Sequence, residues 1–515
     1  MRTQVLIVGA GPTGLMMACQ LQRWGIDFII IDDKETTTNQ SRALAVQARS
    51  VEIFRQMGIA DKAVKHGRKA KALNLVVKDK VRGHIAFEGF GEGLSPYPYI
   101  LMLEQNKNED LLNEHLKEQR QNVLWKHTLV NFADNKDGVI AIIKDASGTE
   151  IEMQARYIVG ADGAKSVVRN KLGMQFLGST YENVFFVADT KVHWALPQDE
   201  ISIAISTKTF SAFFPMEGES RYRVVGTMPE KFTDDGSVKF EDIEETVKKQ
   251  TEIPVSFSDT SWFSIYRVHH RVVQEFRKGN VFLAGDAAHV HSPVGAQGMN
   301  TGLQDAYNLA WKMAWVLKGI AAEPLLDSYN EERHRIAKIL VESTDRAFSI
   351  VVSPSHWGKF FKFNILPLLI PILMRLSAFK TMMFKFVSQI AVKYSKSSLS
   401  CGNSGHVKAG TRFPYFKWQT DEGKTSESFE FFKETGIYII TYNMPYMELK
   451  LSAKLKLFQF KIPYNETNKS TLMKIGFGDS FICVVRPDTY IGYINDKCDK
   501  QDIQAYWGKQ LFILE

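Results

Sequence analysis

At 515 residues the chain is too long for a single hydrophobic core, and two or three domains are expected. Its 44% hydrophobic and 23% charged residues describe a soluble globular protein, which excludes disordered, collagenous and membrane-embedded classes, and no apolar run reaches the length of a membrane span. The net charge of +7 is concentrated in one late segment, and no nucleic-acid partner is expected.

The chain opens on an apolar strand, Val5 to Val8, with no signal peptide ahead of it. Gly9-Ala10-Gly11-Pro12-Thr13-Gly14 follows, then a helical pattern to Gly25, then a strand from Phe28 to Ile31 closed by Asp32. Asp32 stands about twenty residues after the second glycine, the place of the ribose-binding acid in a dinucleotide fold. The glycines permit a tight turn and close backbone approach, and the helix start faces the pyrophosphate. A linker then leads through Gln40-Ser41-Arg42-Ala43 to a helix carrying Ser50, Ile53, Phe54 and Met57. Gly89, Gly91 and Gly93 mimic a GxG motif, but no strand precedes them and no helix follows, so they read as a loop.

Val139 to Lys144 and Glu150 to Gln154 flank a polar turn and predict a hairpin. The next strand, Tyr157 to Gly160, delivers Asp162-Gly163, and a helix starts at Ser166 and Arg169. Alone, Asp162 reads equally well as a helix cap. From Phe176 to about His270 the pattern becomes strand-rich, with Phe185–Val187, Ile201–Ile205, Phe210–Met216 and Tyr222–Met228. Within it Phe213, Phe214, Met216 and Tyr266 are candidate substrate contacts, although such residues are more often ordinary sheet core. His269 and His270 point to opposite faces of a strand and cannot share a metal, and no metal site is expected.

Val281 to Ala284 is a buried strand ending at Gly285-Asp286, and a helix through Leu303, Ala306, Ala310, Met313 and Leu317 stops at Gly319. Thr301 and Gln304 have the spacing of a capping box at its start. Between strand and helix lies a loop with Pro293, Gly295 and Gly298, whose bare amides and helix start suit an anion or an electron-rich carbonyl. An aspartate at a strand's end suits a sugar-type hydroxyl. Together with the N-terminal unit this describes a cofactor seat.

With these motifs in place the chain resembles the single-component, FAD-dependent aromatic hydroxylases of the p-hydroxybenzoate hydroxylase type. GAGPTGL at Gly9 to Leu15, GADGAKSVVR at Gly160 to Arg169 and GDAAHVHSPVGAQGMNTGLQDAYNLAWK beginning at Gly285 match that family's three motifs in order. Asp32 stands where the family more often has Glu, and Ala296 replaces a glycine of its GGQGMN loop. The resemblance implies an α/β fold: a Rossmann-like FAD-binding domain in two pieces, 1–175 and 271–345, with a β-sheet substrate domain at 176–270. It places Gly9, Gly11, Pro12, Thr13, Gly14, Asp32, Arg42, Gln105, Val130, Asp162, Gly285, Asp286, Gly295, Gly298, Met299 and Asn300 around FAD. Arg42 and Pro293 are the candidates nearest the chemistry.

The activity implied is monooxygenation of an aromatic, phenolic or polyketide-like molecule, with NADPH or NADH as transient co-substrate and O₂ carried as a C4a-hydroperoxyflavin. A single nucleotide fold argues against Baeyer–Villiger enzymes with two, and the lack of WxWxIP argues against tryptophan halogenases. Oxidation of tetracycline- or rifamycin-like drugs by the same machinery is one alternative. A catalytically silent, flavin-bound binding module is the other.

Asp327 to Phe348 reads as a charged helix, and 346–400 as a helical connecting segment. Eleven basic residues and no acidic one lie between Asp345 and Asp421, around the apolar run Phe363 to Met374. This is either a basic amphipathic patch for an anionic membrane or acidic substrate, or an inter-domain segment packed on the flavin domain. SQIAVKY at Ser388 to Tyr394, similar to an element of hydroxylases with a C-terminal extension, favours the second. From 401 to 515 short strands at Gly436–Tyr442, Leu457–Phe460, Phe481–Val485 and Tyr490–Ile494 precede a helix from Asp499 to Leu514. VVRPDTYIGY at Val484 to Tyr493 resembles the thioredoxin-like domain of phenol and polyketide hydroxylases. It has no CxxC, so its expected task is packing or homodimer contact, and its deletion is expected to leave FAD bound. Cys19, Cys401, Cys483 and Cys498 lie far apart and read as reduced thiols of a cytoplasmic protein.

Overall fold

The computed structural model describes the chain except for residues 40–42, 78–79, 206–209, 230–231, 233–237, 252, 292–296, 353–364, 446–448, 450–453, 498 and 515. Arg42, Pro293, Gly295, Ala296 and Cys498 therefore lie outside the described residues.

Two eight-stranded sheets carry the site. In the first, Arg2–Val8 lies between Glu150–Gly160 and Phe28–Asp32, and Val281–Leu283 pairs beyond Glu150–Gly160, all parallel. The register aligns Val8 with Ile31 and with Gly160, and Gly160 with Leu283. Four strands thus run out at one edge, and the loops beginning at Gly9, Ala161 and Ala284 leave it side by side with Asp32. A crevice outside the carboxyl ends of parallel strands is where such sheets bind ligands. Helices Pro12–Arg23 and Gly298–Leu317 cover the sheet with one continuous apolar core that includes Leu15, Leu303, Trp311 and Trp315.

The second sheet runs in the order His289–Val290, Ser256–Val273, Phe176–His193, Arg221–Thr227, Phe210–Pro215, Glu200–Ile205, Ala72–Val77, Lys80–Ala86. Its last two strands come from the N-terminal part of the chain and its first from beyond 270, so the sheet is built from three separated segments and not from 176–270 alone. Ala72–Val77 is buried along both faces, Asn74 included, where its side chain donates to Glu200 at 2.8 Å. One face of the sheet packs Phe186, Phe213, Tyr222 and Val224 against Phe240, Ile243 and Val247 of the helix Phe240–Thr251. The other face looks back toward the first sheet.

Helices Leu366–Leu373 and Ser377–Val387 pack their inner residues Ile370, Met374, Phe379 and Phe384 against Leu73, Leu75, Ile85 and Phe90. No helix among the described residues is long and apolar enough to cross a membrane. The stretch expected as one helix from Asp327 is helical throughout, but Asn330–His334 is a π-turn between Asp327–Tyr329 and Arg335–Val352.

A four-stranded sheet completes the chain, in the order Leu457–Ile462, Ile437–Tyr442, Phe481–Val485, Ile491–Asn495, with only the first pair parallel. Helix Glu466–Ile475, not foreseen from the sequence, is capped by the Asn465 side chain, and Asp499 caps Lys500–Lys509. Cys483 is buried in this sheet and Cys401 is exposed, both as free thiols, like buried Cys19.

This part is welded to the half that holds the first sheet by buried charge. Arg486 donates to Glu332 at 2.5 and 3.0 Å and to Asp488, and Lys312 of the long helix donates to Glu332 at 2.8 Å. Arg49 donates to the Asp488 carbonyl at 2.8 Å, and Arg412 to Glu52 at 3.2 Å. All are buried. Burial opposes ionisation of Glu332, yet the Arg486 and Lys312 charges overcome it and hold its carboxyl well below the ordinary range. Removing residues after Ser400 would strand several of these charges in the core, so such a deletion is expected to cost stability as well as to alter assembly.

Candidate functional site

A cavity of about 1390 Å³ runs from the carboxyl edge of the first sheet to the inner face of the second. This exceeds the roughly 300–1,000 Å³ of a drug-sized site and leaves room for a dinucleotide and a second molecule.

The three glycine–acid loops meet at one end. Gly9 has φ of +102°, and a Cβ added there would lie 2.4 Å from the Ala161 carbonyl oxygen; one on Gly14 would lie 1.8 Å from the Gly9 oxygen. A Cβ on Gly11 would meet nothing within 4 Å. The first and third glycines are thus consumed by packing, and the second lays bare backbone along the cavity. Asp32, at the end of its strand, accepts from the Ala10 N–H at 2.6 Å and the Lys34 N–H at 2.9 Å. Burial pushes its carboxyl up, with the Lys34 charge and the Ala10 N–H pulling the other way.

Of the residues expected at the cofactor, Gly9, Gly11, Pro12, Thr13, Asp32, Gln105, Asp162, Asp286, Gly298 and Met299 line this cavity. Asp162 also caps the helix Val167–Lys171, accepting from the Val167 and Val168 N–H groups at 2.7 and 3.1 Å and from Ser166 Oγ at 2.5 Å. It thus caps a helix and lines the cavity at once.

Four candidates stand behind the wall. Gly14 is the packing glycine just described. Gly285 lies against Thr13, and its N–H donates to Asp305 at 3.0 Å. Asp305 also pairs with His289 and Arg333, each at 2.7 Å. Asn300 is fully buried, donating to the Ala45 carbonyl at 2.9 Å and accepting from Gln47 N and Ser50 Oγ at 2.8 Å. It braces the wall without facing the cavity. Val130 does not line it, whereas its neighbours Thr128 and Leu129 do.

The capping box is corrected as well. The helix begins at Gly298, Thr301 Oγ1 turns back to the Gln297 carbonyl at 2.9 Å, and Gln304 binds the Asn300 carbonyl and Gln389. Both side chains are buried, so among the described residues no side chain caps the helix start, and Gly298 and Met299 line the cavity. The Nε2 of buried Gln297, which lines the cavity beside them, has no hydrogen-bond partner among the described residues. A bare helix start, a bare glycine amide and an unpartnered buried donor fit a cofactor with pyrophosphate and carbonyl acceptors, as FAD has.

The other end of the cavity is an apolar vault. Period-two alternation along the second sheet turns Leu73, Leu75, Ile201, Ile203, Ala212 and Phe214 inward. Phe213 points the opposite way, buried against Trp194 at 4.6 Å between ring centroids, and does not touch the vault. Met216 packs in the neighbouring cluster without lining the cavity, and Tyr266 packs on Phe185 at 6.0 Å, where burial pushes its hydroxyl up to about 12. Of the four expected substrate contacts only Phe214 faces the space. His269 and His270 bond Thr180 and Ser179 instead of a common ligand.

Sequence reasoning missed Arg223, Gln297 and the helical floor of Ile370, Leu373, Phe379 and Met383. Arg223 is buried in the ceiling and held by Asp189 through bonds of 2.8 and 2.7 Å. Its signal was available: an arginine alternating with Tyr222 and Val224 in an apolar strand shares the face opposite theirs.

The family model described as FAD binding domain matches residues 2–344. The chain is 36% identical over 349 residues to 6-methylpretetramide 4-monooxygenase of Streptomyces rimosus, covering 68% of this chain and 62% of that one. It is 34% identical over 357 residues to pentachlorophenol 4-monooxygenase of Sphingobium chlorophenolicum, covering 68% and 65%. The alignments thus span just under two thirds of these relatives' own lengths. Among solved structures, OxyS anhydrotetracycline hydroxylase from Streptomyces rimosus superposes with a TM-score of 0.76 and 26% identity, covering 99% of both chains. The match of the family model, over the segment that builds the glycine–acid crevice, makes this chain a member of the FAD binding domain family.

Proposed function

We propose that the protein is a monooxygenase that consumes NAD(P)H and O₂ and hydroxylates a fused-ring aromatic or phenolic small molecule. The observation that carries this reading is the continuity of the cavity, which joins the glycine–acid crevice to an apolar vault without an intervening wall. Bound FAD would supply the O₂ activation and electron transfer that no side chain can.

The chain's own residues bind, orient and exclude water. The Gly11 amide and the Pro12–Arg23 helix start would hold the pyrophosphate, Asp32 a ribose hydroxyl, and Asp286 and Gln105 further polar groups of the cofactor. The helix start at Gly298 would favour negative charge on the ring system. Phe214, Leu75, Ile203 and Met383 would clamp a flat apolar ring and keep the reacting atoms dry. The Arg223 guanidinium, fixed by Asp189, would favour electron-rich rings bearing oxygen.

Fused-ring substrates are favoured by the volume and by the relatives that act on pretetramide and anhydrotetracycline skeletons. The C-terminal sheet, with its parallel pair followed by two antiparallel strands and a closing helix, supports a thioredoxin-like domain over 401–515 whose task is packing. The test is NAD(P)H-dependent O₂ uptake by purified protein across a panel of phenols and fused-ring aromatics, with mass analysis of products. A compound that accelerates uptake and gains one oxygen is expected; uptake indifferent to every aromatic would contradict the proposal.

A further inference from the structure

Of the fifteen large apolar side chains that stand exposed among the described residues, seven lie within the short stretch from Ile365 to Phe386. Leu368, Ile372, Leu376, Met382 and Phe386 are each more than half exposed, on helices Leu366–Leu373 and Ser377–Val387 and the turn joining them. Scattered single residues of this kind are ordinary on a soluble protein, but such a concentration marks an interaction surface. Arg375 and Lys385 are exposed among them, and Lys393 and Lys396 follow close in sequence. No acidic residue occurs from 346 to 420.

We propose that this face docks on an anionic phospholipid bilayer, lying in the interface plane without spanning it. Helices of 8 and 11 residues are too short to cross, since a span needs about 20. Apolar side chains interspersed with cations, on a stretch that itself carries no carboxylate, complement a surface of acyl chains under anionic headgroups. The charge argues against a second copy of this chain as occupant: a two-fold interface through this face would bring its cations together with nothing to neutralise them. The inner side of the same helices, through Ile370, Leu373, Phe379 and Met383, is the floor of the vault. One helical layer therefore has the membrane on one side and the cavity on the other, the arrangement expected of a protein that takes an apolar substrate from the bilayer.

Flotation of the full-length protein with phosphatidylcholine vesicles, with and without phosphatidylglycerol, tests this. Co-flotation with anionic vesicles only, weakened by salt, is expected. The exposed-face variant Leu368→Ser/Ile372→Ser/Phe386→Ser should lose it while keeping its circular dichroism and bound flavin. Arg375→Gln/Lys385→Gln should weaken it about fivefold per charge removed and decides the matter should the first variant misfold. Absence of flotation, equal flotation with neutral vesicles, or flotation untouched by the charge changes would overturn the proposal. So would a concentration-dependent dimer of the native chain that the apolar substitutions abolish, which would assign the face to a second copy.

Discussion

The Thr13 hydroxyl fills the space that a Cβ on Gly285 would need, 2.4 Å from where that atom would stand, and a Cβ on Gly302 would lie 2.2 Å from the same oxygen. The first loop of the crevice is therefore keyed between the third loop and the long helix behind it. Gly285 also has φ of +60°, a conformation that costs a residue with a side chain about 1–2 kcal/mol. Gly285→Ala is expected to lower the melting temperature and flavin occupancy together, measured by thermal unfolding and visible absorbance. Full occupancy at unchanged stability would show that the keying is unimportant.

Phe213 and Phe214 are neighbours with opposite duties. Phe213→Ala should cost about 3–5 kcal/mol by opening a hole in the outer core, with little change in KM. Phe214→Ala should cost less stability and raise KM for an aromatic substrate several-fold. Denaturant unfolding beside steady-state kinetics reads both, and the reverse pattern would mean the sheet's register is wrong.

Arg486 and Glu332 join the C-terminal sheet to the π-turn Asn330–His334, and Lys312 ties Glu332 in turn to the helix that starts at the crevice. Arg486→Met leaves buried Glu332 with the Lys312 charge and the neutral donors Asn308 and Ser397, and a loss of about 3–5 kcal/mol is expected in denaturant unfolding. A change under 1 kcal/mol would mean water reaches the pair.

The same pair sets a dependence on pH. With its folded-state value held well below the ordinary 4.5 by Arg486 and Lys312 against the effect of burial, Glu332 contributes stability fully present above about pH 4.5. That contribution is lost as pH falls through the depressed folded value. Glu332→Gln should therefore be less stable than the native chain at neutral pH, and its stability should fall less steeply on acidification. Parallel curves would contradict the assignment.

The crevice was legible because its signals are local: glycine spacing, strand-then-helix periodicity and an acid at a fixed distance all sit within single segments. The vault was not, because which face Phe213 or Phe214 takes depends on pairing with strands far away in sequence, and Ala72–Val77 joins the sheet from outside the expected insert. Thr301 and Gln304 have the spacing of a capping box, yet the helix begins at Gly298 and both side chains are buried by tertiary contacts. Glu332, Lys312 and Arg486 likewise read as solvated charges until folding brings them together.

Gly11 offers the most direct test of the flavin seat. Its Cβ position is empty in the protein fold but lies along the cavity where the pyrophosphate would run. Apo-protein of Gly11→Val and of the native chain should unfold alike, while titration with FAD shows binding by the native chain and a loss of a hundredfold or more, roughly 3 kcal/mol, in the variant. Equal FAD affinity in the two proteins would contradict the placement of the cofactor in this crevice.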